Sequence, residues 1–408
     1  MEAFLKRQLR MQEFFVDISF LYGILDLGFW GYVLAAFAMV QVTFMGVTLY
    51  LHRDATHRSV DLHPAVRHVF RFWLWMSSGI LTSQWVAVHR KHHAACETSE
   101  DPHSPVVLGL RKVLLEGAEL YRAAARDEQL VAKYSRGTPD DWIERTVYMR
   151  HRSMGIVLMV VTDLLLFGVP GIIIVAVQMV ANPLFAAGII NGLGHHTGYR
   201  NFESPDAARN IVPWGVLIAG EELHNNHHAF PSSAKFSIRP WEFDLGWLYI
   251  CFLRALGLAN VLRIAPQPLM VAPRKHVDLE TLRAVIINRM HVSREYACRV
   301  IVPVFQEQSR RAEALGRRSR TLLVRDPALL NDQARAKLRA ILTVSQELKA
   351  VYEFRERLCL LWTGKNLSNE RLLQNFMEWL AQAEGSGIRS LQDFALTLRG
   401  YALKPAQT

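Results

Sequence analysis

Two long apolar runs dominate the first half of the chain, from Phe14 to Leu51 and from Met154 to Gly194. A bilayer crossing takes roughly 20 apolar residues, and each run is about twice that long. Turn-formers interrupt both: "DLGFWG" near Asp26 and "GVPG" at Gly168 to Gly171. Each run is therefore expected to fold as a hairpin of two spanning helices. The first arm of the first run is short, which leaves a re-entrant helix as the alternative there. A third stretch, Val66 to Val88, is apolar, aromatic and long enough to cross once. A single crossing would put residues 52–57 and 89–93 on opposite faces, so it is read as a helix embedded against the cytosolic face. From about Pro266 the pattern changes. Runs such as "QARAKLRAILTVSQELKAVYEFRERLCLLW" have helical periodicity with charged outer faces, and no later stretch is long enough to span. The expected fold is all-α. Residues 1–265 form a membrane domain of two transmembrane hairpins, and residues 270–408 form a soluble, cytosolic helical region.

Charge adds a direction. The 408 residues carry a formal charge of +10. Beside apolar spans, a basic excess points first to a membrane surface. Lys6, Arg7 and Arg10 precede the first run; Arg53, Arg58, Arg90, Lys91, Arg111 and Lys112 lie between the runs; the turns inside the runs carry no Lys or Arg. The positive-inside rule then places both termini and the central segment in the cytosol. The opening "MEAFLKRQLRMQEFF" has no short apolar core with a small-residue cleavage site, so no cleaved signal peptide is expected. Cys96, Cys251, Cys298 and Cys359 stand far apart without a C-x-x-C pair and read as reduced thiols.

The chemistry lies in the histidines. "HRDATH" supplies His52 and His57, "HRKHH" supplies His89, His92 and His93, and "HNNHH" supplies His224, His227 and His228. "NGLGH" adds Asn191 and His195. On a helix, positions i, i+3 and i+4 share a face. Adjacent positions diverge by roughly 100°, so His92 and His93 suit two neighbouring ions rather than one. His52 and His57, five apart, would diverge by roughly 140° on an α-helix and also suit two ions. Asn191 and His195 would share a face. Nine histidines and one amide are enough for two ions with four or five ligands each. Neutral imidazole suits zinc, copper, iron or nickel, but a structural zinc site usually closes with four ligands, often cysteine. His63, His68, His103, His151, His276 and His291 read as ordinary surface or core residues, and His196 as a neighbour of His195.

The order "HRDATH", "HRKHHAACETSEDPHS", "NGLGHHTGYRNF" and "GEELHNNHHAFP" resembles the membrane fatty acid desaturases of the acyl-CoA desaturase type, over roughly residues 30 to 260. The resemblance implies two irons bound on the cytosolic side of a four-helix membrane domain. It implies direct ligation by His52, His57, His89, His92, His93, His195, His224, His227 and His228, with Asn191 acting through a bound water. It also implies a non-spanning helix at 66–88. The family's chemistry removes two hydrogens from a saturated acyl chain, here at the delta-9 position, with dioxygen as co-substrate and two electrons. No cytochrome b5-like haem motif is present, so an external electron-transfer protein is expected. Trp85 is a candidate substrate contact, with an interfacial aromatic anchor as the other reading.

The resemblance implies an enzyme of the bacterial inner membrane whose partners are membrane lipids and an acyl-lipid or acyl-CoA substrate. In the acyl-CoA members a basic pair follows the "DPH" of the second box. Here "DPHSPVVLG" follows without one, which favours acyl chains of membrane lipids, with acyl-CoA as runner-up. A membrane di-iron hydroxylase and a non-catalytic multi-histidine metal transporter are the rival readings; transporters usually hold their ligands near the bilayer midplane, whereas here they cluster at the cytosolic ends of the apolar runs. The segment "ELKAVYEFRERLCLLW" through "GSGIRSLQDFALTLRGYALKP" is weakly similar to the helical C-terminal part of some insertion-sequence transposases. The rest of such an enzyme is missing, so the region is read as a helical cap or partner-docking module, with no nucleic-acid partner expected.

Overall fold

The computed structural model describes residues 19–311, 317–364 and 367–404. Lys6, Arg7, Arg10 and the start of the first apolar run lie outside these residues. The described residues are mostly helical, with three two-stranded ribbons as their only sheets. They divide into two compact units. The first comprises residues up to 196, 212–223 and 232–263; the second comprises 197–211, 224–231 and 264 onward. The third histidine box thus groups with the C-terminal helices, across the boundary expected near residue 265.

In the first unit, α1 (Phe29–Met45) continues without a break into a π-helical segment, Gly46–Thr56. Together they make a 28-residue apolar helix long enough to span a bilayer. Phe29, Trp30, Leu34 and Phe37 are exposed on it, a surface suited to lipid rather than water. The expected first hairpin is not seen in the described residues. Ser19–Tyr22 is one 3-10 turn, and Ile24–Gly28 is irregular. Gly23 (φ 70°), Asp26 and Gly28 leave no helical run between Tyr22 and Phe29.

The second apolar run does fold as a hairpin, of α4 (Arg152–Phe167) and α5 (Val169–Asn182) once α2 (Pro64–Ser78) and α3 (Thr82–Ala95) are counted ahead of them. Gly168, at φ 62°, makes its tip. A side chain there would meet the Leu21 carbonyl oxygen at 1.9 Å. The backbone of residues 21–25 lies across this tip, with Ile24 and Leu25 donating to the carbonyls of Leu165 and Leu166 at 2.9 and 2.7 Å. The helix Val169–Asn182 also runs on into a π segment, Pro183–Leu193.

Val66–Val88 is not one helix. α2 ends at a left-handed Gly79 (φ 63°), and α3 begins after Ile80 and Leu81. Arg71, buried on apolar α2, is held by Asp141 at 2.6 and 3.0 Å and by Glu144 at 2.8 Å. The core around Leu49, Tyr50, Leu51, Leu62, Leu74 and Ile250 packs behind the first box. Val60–Leu62 pairs antiparallel with Ala259–Val261 beside it.

In the second unit, side-chain N-caps start the C-terminal helices at Asp278, Asn331, Ser345 and Ser368. Their apolar faces meet in one core that includes Tyr296, Leu348, Phe376, Leu391 and Phe394. Tyr296 donates to the Val351 carbonyl at 2.6 Å, and Trp379 to that of Phe354 at 2.9 Å. Leu269–Met270 pairs with Tyr401–Ala402, so the C-terminal region closes on its own beginning.

Candidate metal centre

The π segment Gly46–Thr56 decides how the first box presents its rings. Its bonds run from residue i to i+5, and His57 donates to the His52 carbonyl at 3.0 Å. That winding brings residues five apart onto one face. The divergence of roughly 140° expected for an α-helix is therefore absent, and the two ring centroids are 4.9 Å apart. His89 and His93 approach from α3. The ligand-capable atoms of His52, His57, His89 and His93 all lie within 4.8 Å of one another. His92, one position before His93, turns away from this group and meets His195 instead, at 4.9 Å between centroids.

His195 sits in a turn beyond the second π segment, Pro183–Leu193. The common α-helical face expected for Asn191 and His195 is therefore not formed. Asn191 is half-buried in the segment's last turn. In the second unit, His224, His227 and His228 occupy a short helix, His224–Ala229, with His224 and His228 4.5 Å apart.

Four carboxylates stand behind these rings, and the sequence reading did not single them out. Glu221 accepts from His52 Nδ1 at 2.7 Å, Asp101 from His92 at 3.0 Å, and Glu97 from His195 at 2.8 Å. In the second unit Asp206 accepts from His228 at 3.1 Å. Each bond fixes the Nδ1–H tautomer and leaves Nε2 to face a ligand, the usual support of metal-bound histidine. Part of the signal was present in sequence: acids follow the second box in "ETSEDPH" and precede the third in "GEEL", while Asp206 lies apart from any box in "PDAARN". What sequence does not give is which carboxylate meets which ring. Burial alone would raise Asp101, but the bonds and charge of His92 outweigh it and hold the carboxyl well below its usual range. Glu221 is lowered in the same way, with His52 and Arg53 outweighing burial. Glu97 takes a left-handed backbone (φ 63°), a conformation that costs a non-glycine residue on the order of 1–3 kcal/mol.

The donor set fits a metal. His57 Nε2 and His93 Nε2 each lie 3.1 Å from His89 Nε2. One imidazole nitrogen offers one proton or one lone pair, so it cannot bond fully to both neighbours. A shared cation resolves the conflict. Desolvation and the surrounding rings push His89 well below its ordinary pKa, toward the neutral form that binds metal. Among the described residues, every cluster of His, Cys, Asp and Glu able to hold an ion lies between His52 and His228.

Of the remaining candidates, Trp85 stacks on His89, with centroids 4.9 Å apart and rings nearly parallel. His103 is buried and stacks on His92 at 4.5 Å. His196, His68, His151 and His276 are exposed, and His63 caps α2 through Ala65. His291 packs in the second unit. Changing Asp101 to Asn is expected to weaken metal binding about 10- to 100-fold while leaving the helices intact. Competition against a calibrated chelator measures this, and unchanged affinity would count against the supporting role of Asp101.

Comparison with known proteins places this geometry. Residues 27–244 match the fatty acid desaturase family model, and the chain belongs to that family, an oxidoreductase family. Among its relatives, a sn-1 stearoyl-lipid 9-desaturase of Synechocystis is 29% identical over 245 residues, covering 59% of this chain and 74% of the relative. Delta-9 acyl-lipid desaturase 1 of Arabidopsis thaliana is 30% identical over 244 residues, covering 58% and 76%. A chloroplastic lipid desaturase of Arabidopsis thaliana is 28% identical over 243 residues, covering 57% of this chain and 63% of that protein. Residues 259–404 match a transposase family model. This corrects the expectation of a generic soluble helical cap: amphipathic periodicity is common to both, and periodicity alone does not separate them.

Proposed function

We propose that this chain is an oxygen-dependent desaturase that introduces a double bond at the delta-9 position of a saturated acyl chain in a membrane lipid. The observation that carries this reading is the convergence of His52, His57, His89 and His93, with Glu221 behind His52, inside a chain of the desaturase family. The proposed ligands of two irons are His52, His57, His89, His92, His93, His195, His224, His227 and His228, with Asn191 acting through a water. Bound irons would supply the oxidising power that an unactivated C–H bond demands, using dioxygen and two electrons from an external carrier. The chain's own part is to orient and to shield. Glu97, Asp101, Asp206 and Glu221 hold Nδ1 protons so that Nε2 atoms point forward. Trp85 lies flat against His89, which supports the reading that it borders the acyl chain. The exposed apolar faces of the long helices meet lipid, and the names of the relatives favour a lipid-borne substrate. The basic residues beside the boxes support an active site on the cytosolic face of a bacterial inner membrane.

Expression in a host that makes no unsaturated fatty acids is expected to yield monounsaturated lipids. In a reconstituted assay with a reductase system, labelled phosphatidylcholine should turn over and labelled stearoyl-CoA should not. Hydroxylated products would favour the hydroxylase reading instead. Turnover of acyl-CoA alone would overturn the choice of substrate.

A further inference from the structure

The helix His224–Ala229 has six residues, too few to hold itself in water. What fixes it is visible within the second unit. Asn225 bonds the backbone of Asn201 and Phe202 at 2.8 to 3.0 Å, through both its donor and its acceptor. Asn226 accepts from Asn201 and Asn210 at 2.8 and 3.1 Å, and its own N–H donates to Asn210 at 3.1 Å. The two asparagines inside "HNNHH" are therefore clamps that tie the box to the 201–210 loop.

The far end of the box is held differently. Phe230, two residues beyond His228, is 9% exposed and belongs to a cluster of three rings. Phe202 meets it edge-on at 5.1 Å. His291, from the helix Arg289–Tyr296, stacks on Phe230 at 5.4 Å and meets Phe202 at 5.2 Å. A carbonyl only accepts, so the 3.0 Å contact of His291 Nε2 with the Pro266 carbonyl requires a proton on Nε2 and fixes the ring's orientation. One residue on, Val292 is fully buried in the C-terminal core, as is Tyr296. The box is thus joined through Phe230 and His291 to the core of the transposase-type region. Among the described residues, no cluster able to hold a metal lies in 264–404.

We propose that the transposase-type region is a working part of the desaturase, and that His291 is a positioning residue that holds the third histidine box in place through Phe230. The metal-related half of this proposal rests on the function proposed above; the positional half does not. The test uses the full chain in lipid nanodiscs, as wild type, His291→Ala and His291→Phe. Hydrogen exchange is read by mass spectrometry on peptides covering 224–230, with peptides from Val169–Leu193 as reference. His291→Ala is expected to speed exchange in 224–230 about tenfold and to leave the reference unchanged, because local opening tracks lost contacts. His291→Phe keeps a ring against Phe230 and should stay near wild type. Bound metal, counted by elemental analysis, should fall at least about threefold in His291→Ala and recover in His291→Phe. Wild-type exchange in 224–230 of the alanine variant would overturn the positioning role. If the wild type carries no metal, the metal-centre reading fails while the exchange result still decides the role of His291. Faster exchange in the reference peptides would signal general unfolding. In that case His291→Gln, which keeps a donor for Pro266 but removes the ring, replaces the alanine variant and is held to the same result.

Discussion

Replacing His89 with Ala is expected to abolish desaturation while the membrane helices remain inserted. His89 is the hub of its group: both His57 Nε2 and His93 Nε2 lie 3.1 Å from its own Nε2. Substituting a supporting carboxylate costs about 10- to 100-fold in affinity or activity, and loss of the proposed direct ligand at the hub should exceed that. The fold has little to lose, because the core that seats the first box is built from Leu49, Tyr50, Leu51 and Leu74 rather than from this ring. Three measurements separate the outcomes: lipid unsaturation in cells, metal per chain, and yield of membrane-inserted protein. The exposed His68 on α2 is the control, and His68→Ala should match wild type in all three. Normal unsaturation in the His89 variant would remove this residue from the site.

The second large effect concerns folding rather than chemistry. Arg53, in the π segment beside His52, is fully buried. It donates to Asp244 and to the Ala234 carbonyl, each at 3.0 Å, and its guanidinium lies 3.8 Å from the Phe236 ring centroid. Asp244 is equally buried and in turn caps the helix Leu245–Ala255 through Trp247 and binds the Phe236 amide. Gly220 and Gly246 leave room for the pair: a side chain on either would come within 3 Å of it. Arg53→Ala strands a buried carboxylate and should cost about 3–5 kcal/mol, a large share of the roughly 5–15 kcal/mol that holds a typical domain together. A much lower melting temperature and poor recovery from membranes are expected. Arg53→Met combined with Asp244→Leu removes both charges and should recover part of the loss. If the double variant is no better than Arg53→Ala, stranded charge is not the cause.

Much of this arrangement was legible in sequence because histidine boxes and apolar runs are local signals. The grouping of His92 apart from His93 follows from roughly 100° per residue on an α-helix, and α3 is an α-helix. The first box misled the same argument because its winding is different. Nothing in "GVTLYLHRDAT" marks a π-helix by composition, so the angle between His52 and His57 was misjudged. The "GVPG" tip was legible as a break, yet the chain that crosses it at Leu21–Leu25 was not, since that contact joins positions far apart in sequence. Asp26 and its glycines announced an interruption but not the absence of a helix ahead of it in the described residues. His291 looked ordinary because its meaning lies in Phe230 and Phe202, which periodicity does not connect to it.

The carboxylates behind the boxes bear on when the site is assembled. His52, His92, His195 and His228 are each tied at Nδ1 to an acid that belongs to the protein framework. Side-chain freedom at these rings is thus spent as the chain folds, not when an ion arrives. Metal uptake then becomes a docking event onto rings already aimed, and its rate should depend on how fast an ion sheds water and reaches the pocket rather than on a slow rearrangement of the polypeptide.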